Sequence, residues 1–121
     1  MDINFKKLFF IFLVMLLFLW GCGEKPQDND LRYYEIHTNN FKFEPSEILV
    51  KKGDRVKILL INDQGFHDFV IDKLNIKAQR LDVGFVDVIE FTAKKKGEFQ
   101  YYCSVGDHKE RGMVGKLIVE D

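Results

Sequence analysis

The chain of 121 residues has two cysteines, Cys22 and Cys103, and three histidines, His37, His67 and His108. Two cysteines allow at most one disulfide, and none once Cys22 is modified, so no disulfide framework holds this fold. Nor is there an apolar run long enough to span a bilayer as a helix, since the longest, residues 8–20, falls well short of the ~20 residues needed. Charge of one sign is not in excess either: 18 basic against 19 acidic side chains give a net charge of −1. Nothing in that balance marks a nucleic-acid partner, and Lys94-Lys95-Lys96 before Gly97 reads as a solvated turn. Repeats and low-complexity segments are absent.

The N-terminus carries an export signal. Lys6 and Lys7 precede the apolar run, a basic region followed by a signal-peptide core. Leu19-Trp20-Gly21-Cys22 then looks like a lipobox, with Cys22 as the lipidated first residue of the mature protein, although Trp20 stands where a small residue is usual. Residues 1–21 are thus expected to be a leader, 22–30 a lipidated terminus and polar tether, and 31–121 one domain. Loss of the leader takes the net charge to about −2. Cys103 would then be a lone thiol in an oxidising compartment, where a bound metal would protect it.

From Leu31 onward the pattern is of short strands divided by turn signals: 33–38, 47–51, 55–62, 67–71, 86–92, 98–103 and 115–120. Asn39-Asn40, Pro45, Gly53-Asp54, Asn62-Asp63 and Lys96-Gly97 supply the punctuation, and 73–84 stays open between loop, strand and short helix. Strands this short and evenly spaced predict an all-β, two-sheet antiparallel sandwich. Side-chain alternation places Phe99, Tyr101 and Cys103 on one inward face, and Met113, Gly115, Leu117 and Val119 on another. His67 shares a face with Phe69 and Ile71, with Asp68 and Asp72 expected on the outward side.

Cys103, His108 and Met113 are spaced Cys-x4-His-x4-Met, and with His67 they supply one thiolate, two imidazoles and one thioether. That set suits copper, because sulfur favours Cu(I) and imidazole serves both oxidation states. It does not suit zinc, for which a thioether is too weak a donor. His37 has no ligand-type neighbour in its strand and is read as structural or exposed.

These residues and their surroundings, above all 96–104 and 112–119, resemble the blue-copper (cupredoxin) family, in particular its plastocyanin-like and azurin-like members. The resemblance implies a Greek-key β-sandwich holding one type 1 copper per chain, with Cys103 as thiolate ligand, His67 and His108 as imidazole ligands and Met113 as a long axial ligand. It implies an electron carrier, not an enzyme, with the edge of His108 as the electron port. Asp68, Ser104 and Tyr102 are the candidate residues around the ligands or on an electron path, Tyr102 matching the plastocyanin aromatic beside the cysteine. Three departures stand out: Asp68 replaces the usual Asn, Gly106-Asp107 replaces Pro-Gly before the second His, and the loop lengths match neither plastocyanin nor azurin. The expected partners are a cytochrome or membrane oxidoreductase and, through Cys22, the envelope membrane; the expected state is a monomer. A nitrite-reductase-type enzyme would need several further histidines and a dinuclear copper centre a second thiolate, so the main rival is a copper chaperone or storage module.

Overall fold

The computed structural model describes residues 30–121, so Cys22, the leader and all of the tether except Asp30 lie outside the described residues. Nine strands form: β1 (Leu31–Asn39), β2 (Lys42–Glu44), β3 (Glu47–Lys51), β4 (Arg55–Asn62), β5 (Val70–Ile71), β6 (Ile76–Lys77), β7 (Val86–Thr92), β8 (Gly97–Tyr102) and β9 (Val114–Glu120). One sheet runs β2-β1-β4-β7 and the other β3-β9-β8-β5-β6. The fold is the all-β two-sheet sandwich, but the sheets are mixed rather than purely antiparallel. β1 pairs with β4 and β3 with β9 in parallel, while the remaining pairs are antiparallel. The chain leaves β2 for β3 in the opposite sheet and returns as β4 beside β1; only a crossover of this kind, not a tight hairpin, can join parallel neighbours.

Alternation builds the core. Val56, Ile58 and Leu60 of β4 are buried between half-exposed Lys57, Leu59 and Ile61, and Phe99 and Tyr101 of β8 are buried between exposed Glu98 and Gln100. The open stretch 73–84 resolves into a 3-10 turn at Asp72–Leu74, the two residues of β6 and irregular chain. The expected strand 67–71 is regular only at Val70–Ile71; His67 instead forms a single bridge with Leu81. With that regularity gone, parity fails at Asp68, which alternation puts outward and which is fully buried.

Tyr101 is the largest fully buried side chain. Its ring stacks on Phe69 at 4.8 Å and meets Phe43 edge-on at 5.2 Å, and its hydroxyl donates to the Pro45 carbonyl at 3.1 Å. The ring lies across the backbone of Gly115, its cross-strand partner on β9. A Cβ there would sit 2.6 Å from the hydroxyl oxygen and closer still to the ring carbons. Gly115→Ala is therefore expected to destabilise the fold by about 1–3 kcal/mol through overpacking, read as a lower denaturation midpoint at unchanged slope.

Candidate metal centre

Two segments bring the donors together at one end of the sandwich. The first carries His67, whose backbone exchanges hydrogen bonds with Leu81 (3.2 and 2.8 Å). Behind it, the buried Asn62 amide donates to the Gly65 and Leu81 carbonyls at 2.8 Å each and accepts from the Thr38 hydroxyl at 2.9 Å. The second begins where β8 ends. Cys103 N–H donates to the Met113 carbonyl (3.2 Å), and Met113 N–H donates to the His108 carbonyl (3.0 Å). Further turns, His108 N–H to Val105 and Gly112 N–H to Lys109, fold the loop on itself. Its backbone thus joins Cys103, His108 and Met113.

His67 Nδ1 and His108 Nδ1 are 3.2 Å apart, and Cys103 Sγ lies 3.8 Å from the first and 3.6 Å from the second. One ion bonded at about 2.0 Å to each nitrogen and about 2.3 Å to sulfur in a trigonal plane would separate the nitrogens by ~3.5 Å and sulfur from nitrogen by ~3.7 Å. The three donor atoms fit that triangle. Cys103 and His67 are buried, His108 is half-buried and Met113 is fully buried. Among the described residues this is the His/Cys/carboxylate cluster able to hold a metal. His37 is apart from it, bonded to Asp63 at 2.7 Å.

Burial sets the proton chemistry of the donors. It holds the His67 pKa below its ordinary value; His108 pushes the same way, while the Gln64 backbone and Asp68 oppose. Burial likewise pushes the Cys103 thiol up, aided by Asp68 and opposed by the backbone N–H groups of Asp68 and Val105. Near neutral pH both directions favour a neutral imidazole and a neutral thiol. A bound cation would stabilise the thiolate and release its proton. His67 Nε2 is buried without a hydrogen-bond partner, which leaves Nδ1 as the nitrogen facing the other donors.

Asp68 sits inside this frame. Its carboxylate accepts from Ser104 N–H and from the Ser104 hydroxyl, each at 2.6 Å, and its own N–H points at Cys103 Sγ at 3.5 Å. Tyr102 lies half-exposed on the outer face, its hydroxyl donating to the Asp72 carboxylate at 2.9 Å with Lys109 over its ring at 4.1 Å. Three residues escaped the sequence reading. Asn62 left a usable signal, being a polar side chain on the inward parity of β4. Phe41, edge-on to the His108 ring at 5.0 Å, and Arg80, 3.7 Å from Asp68, left none.

A family model described as the cupredoxin-like domain matches residues 9–119. The copper-resistant cuproprotein CopI of Rubrivivax gelatinosus is 29% identical over 104 residues, covering 69% of this chain and 63% of that protein. The chain thus spans less than two thirds of that relative's length. Among solved structures, auracyanin from Roseiflexus castenholzii superposes with a TM-score of 0.68 at 21% identity, over 74% of this chain and 97% of the other. Auracyanin A from Chloroflexus aurantiacus, titled a "blue" copper protein, gives 0.66 at 22%, over 74% and 99%. At these identities the two structures establish the fold.

The displaced pKa values make the metal-free protein pH-sensitive on both sides. Because folding depresses His67, the unfolded chain binds more protons below about 6.5, and stability falls as pH drops through that value. Because folding raises Cys103, the unfolded chain loses its proton first above about 9, and stability falls there too. Denaturant titrations across pH should show both limbs, with His67→Gln flattening the acid limb and Cys103→Ser the alkaline one.

Proposed function

The chain belongs to the cupredoxin-like family, and from that premise we propose that it holds one type 1 copper ion through His67, Cys103, His108 and Met113 and carries single electrons between redox partners at the cell envelope. The observation that carries this reading is the triangle of donor atoms with edges of 3.2, 3.6 and 3.8 Å. Bound copper supplies the one-electron Cu(I)/Cu(II) couple. The chain supplies a frame that resists rearrangement: His67 is pinned to Leu81, and the Cys103, His108 and Met113 backbones are bonded to one another. His67, Cys103 and Met113 are themselves buried away from water, and half-buried His108 offers the side that meets solvent. Cys22, after the apolar run 8–20, supports anchoring of a monomeric domain at the envelope membrane, with a cytochrome or membrane oxidoreductase as partner. A carrier is favoured over an enzyme because His37 is the sole further histidine in the sequence.

A second reading, copper handling, is supported by the name of the CopI relative. The two make opposite demands on the metal. A carrier keeps copper through repeated reduction and oxidation, whereas a handling protein surrenders it. Reversible voltammetry of the copper-loaded domain, with no net transfer to a metal-free acceptor over the same cycles, is the expected outcome. Rapid loss on reduction would favour handling.

The ligand roles are tested separately. The copper-loaded protein should show an intense visible charge-transfer band, and Cys103→Ser should abolish it; colour that persists would remove the central claim. Met113→Leu should retain copper and raise the potential, because losing a donor disfavours Cu(II). A tenfold change in oxidation-state preference corresponds to about 59 mV for one electron, and a shift of that order is expected.

A further inference from the structure

Two buried carboxylates occur among the described residues, Asp54 and Asp68. Asp54 has a structural task, since it accepts from Lys51 N–H at 2.8 Å and Arg32 Nε at 3.0 Å and so closes the turn before β4. Asp68 lies instead between two residues of the donor cluster. It follows His67 in the chain, it accepts twice from the residue after Cys103, and its N–H faces the Cys103 sulfur. Its carboxylate meets Ser104 N–H, the Ser104 hydroxyl, the Arg80 guanidinium and the Cys103 thiol. The backbone amide meets Oδ1 and the guanidinium meets Oδ2, and both can only donate, so each carboxyl oxygen faces a donor.

Arg80 reaches it because 78–81 runs antiparallel to 67–69. Ala78 N–H donates to the Phe69 carbonyl and Leu81 exchanges bonds with His67, which brings the intervening Gln79-Arg80 alongside Asp68. Arg80 Nε is 3.7 Å from Asp68 Oδ2, and its side chain remains 54% exposed while that of Asp68 is wholly buried. One negative charge thus sits inside the frame and one positive charge partly cancels it from the surface.

We infer that Asp68 and Arg80 form an opposed pair that sets the reduction potential of the bound ion, Asp68 favouring the oxidised state and Arg80 restraining it. The inference rests on the copper reading and deepens it. Both are positioning residues acting through charge, neither being a ligand. The buried negative charge stabilises the higher charge of Cu(II) relative to Cu(I), so removing it raises the potential. Removing the guanidinium leaves that charge uncompensated and lowers the potential. The opposite signs separate charge from mere loosening of the site, which would not be expected to move the two variants apart.

The test is voltammetry of the copper-loaded parent, Asp68→Asn, Arg80→Gln and Arg80→Lys. Asparagine keeps an acceptor for Ser104 N–H and a polar partner for its hydroxyl. The expected result is a shift toward Cu(I) in Asp68→Asn and toward Cu(II) in Arg80→Gln, each about tenfold in the ratio of affinities, or about 59 mV. Arg80→Lys should stay near the parent, and the double variant Asp68→Asn/Arg80→Gln should return toward it. In the metal-free proteins, hydrogen exchange of the Ser104 amide should be unchanged in Arg80→Gln. A reversible couple that Arg80→Gln leaves in place or moves upward overturns the inference alone, as does Ser104 exchange accelerated more than tenfold in that variant. A parent with no reversible copper couple would overturn the copper reading and this inference with it.

Discussion

The hydrogen bonds from Ser104 to the Asp68 carboxylate are the constraint on which the candidate metal centre depends. β5, which follows the His67 segment, and β8, which ends before Cys103, share a single paired register position, Val70 with Tyr102. One ladder position leaves the ends of two strands free to diverge, yet His67 and Cys103 must hold their donor atoms within 3.8 Å. The two bonds at 2.6 Å, N–H and hydroxyl onto one buried carboxylate, close that gap. Charge-assisted bonds of this kind are roughly twice as strong as neutral ones and directional enough to fix a register. Asn62 performs the matching task behind His67, tying the 63–66 turn to Leu81.

On its other side the centre depends on Phe41. This residue occupies the two-residue turn between β1 and β2 with φ of 60°, a left-handed conformation that costs a side-chain-bearing residue on the order of 1 kcal/mol. What opposes the cost is visible in the contacts of its ring: the His108 imidazole at 5.0 Å edge-on and the Arg111 guanidinium at 4.7 Å from its centroid. The turn therefore delivers an aromatic surface to the donor most open to solvent. Strain tolerated at such a place is strain that the neighbouring packing over-determines.

The all-β class and most strands could be read from the sequence because alternation and turn residues carry them, and parity at Phe99, Tyr101 and Cys103 agrees with their burial. His67, Cys103 and His108, singled out by residue type and spacing, lie in one cluster. Legibility ended where periodicity did. β1 and β4 are parallel because of a crossover, and a crossover leaves no mark in a local pattern of apolar and polar residues. Alternation through 67–71 puts Asp68 outward, but two residues of regular strand cannot fix the facing of a residue before them. Arg80 lies in the irregular stretch whose course follows from pairing with 67–69. Such contacts belong to tertiary structure alone.

Burial explains why the parts of the centre come as they do. A charge taken out of water is tolerated when it is compensated, and each charge near Cys103 has its counterpart: Asp68 has Arg80 and two donors from Ser104, while the thiol and the His67 imidazole stay neutral. A monovalent cation with the Cys103 thiolate adds no net charge to that balance, and a divalent one adds one positive charge. Asp68 is the buried group placed to answer it. An asparagine at 68 would brace the Cys103 loop but without that answer, so the carboxylate combines two tasks, holding the frame and supplying a charge, of which an amide would perform only the first.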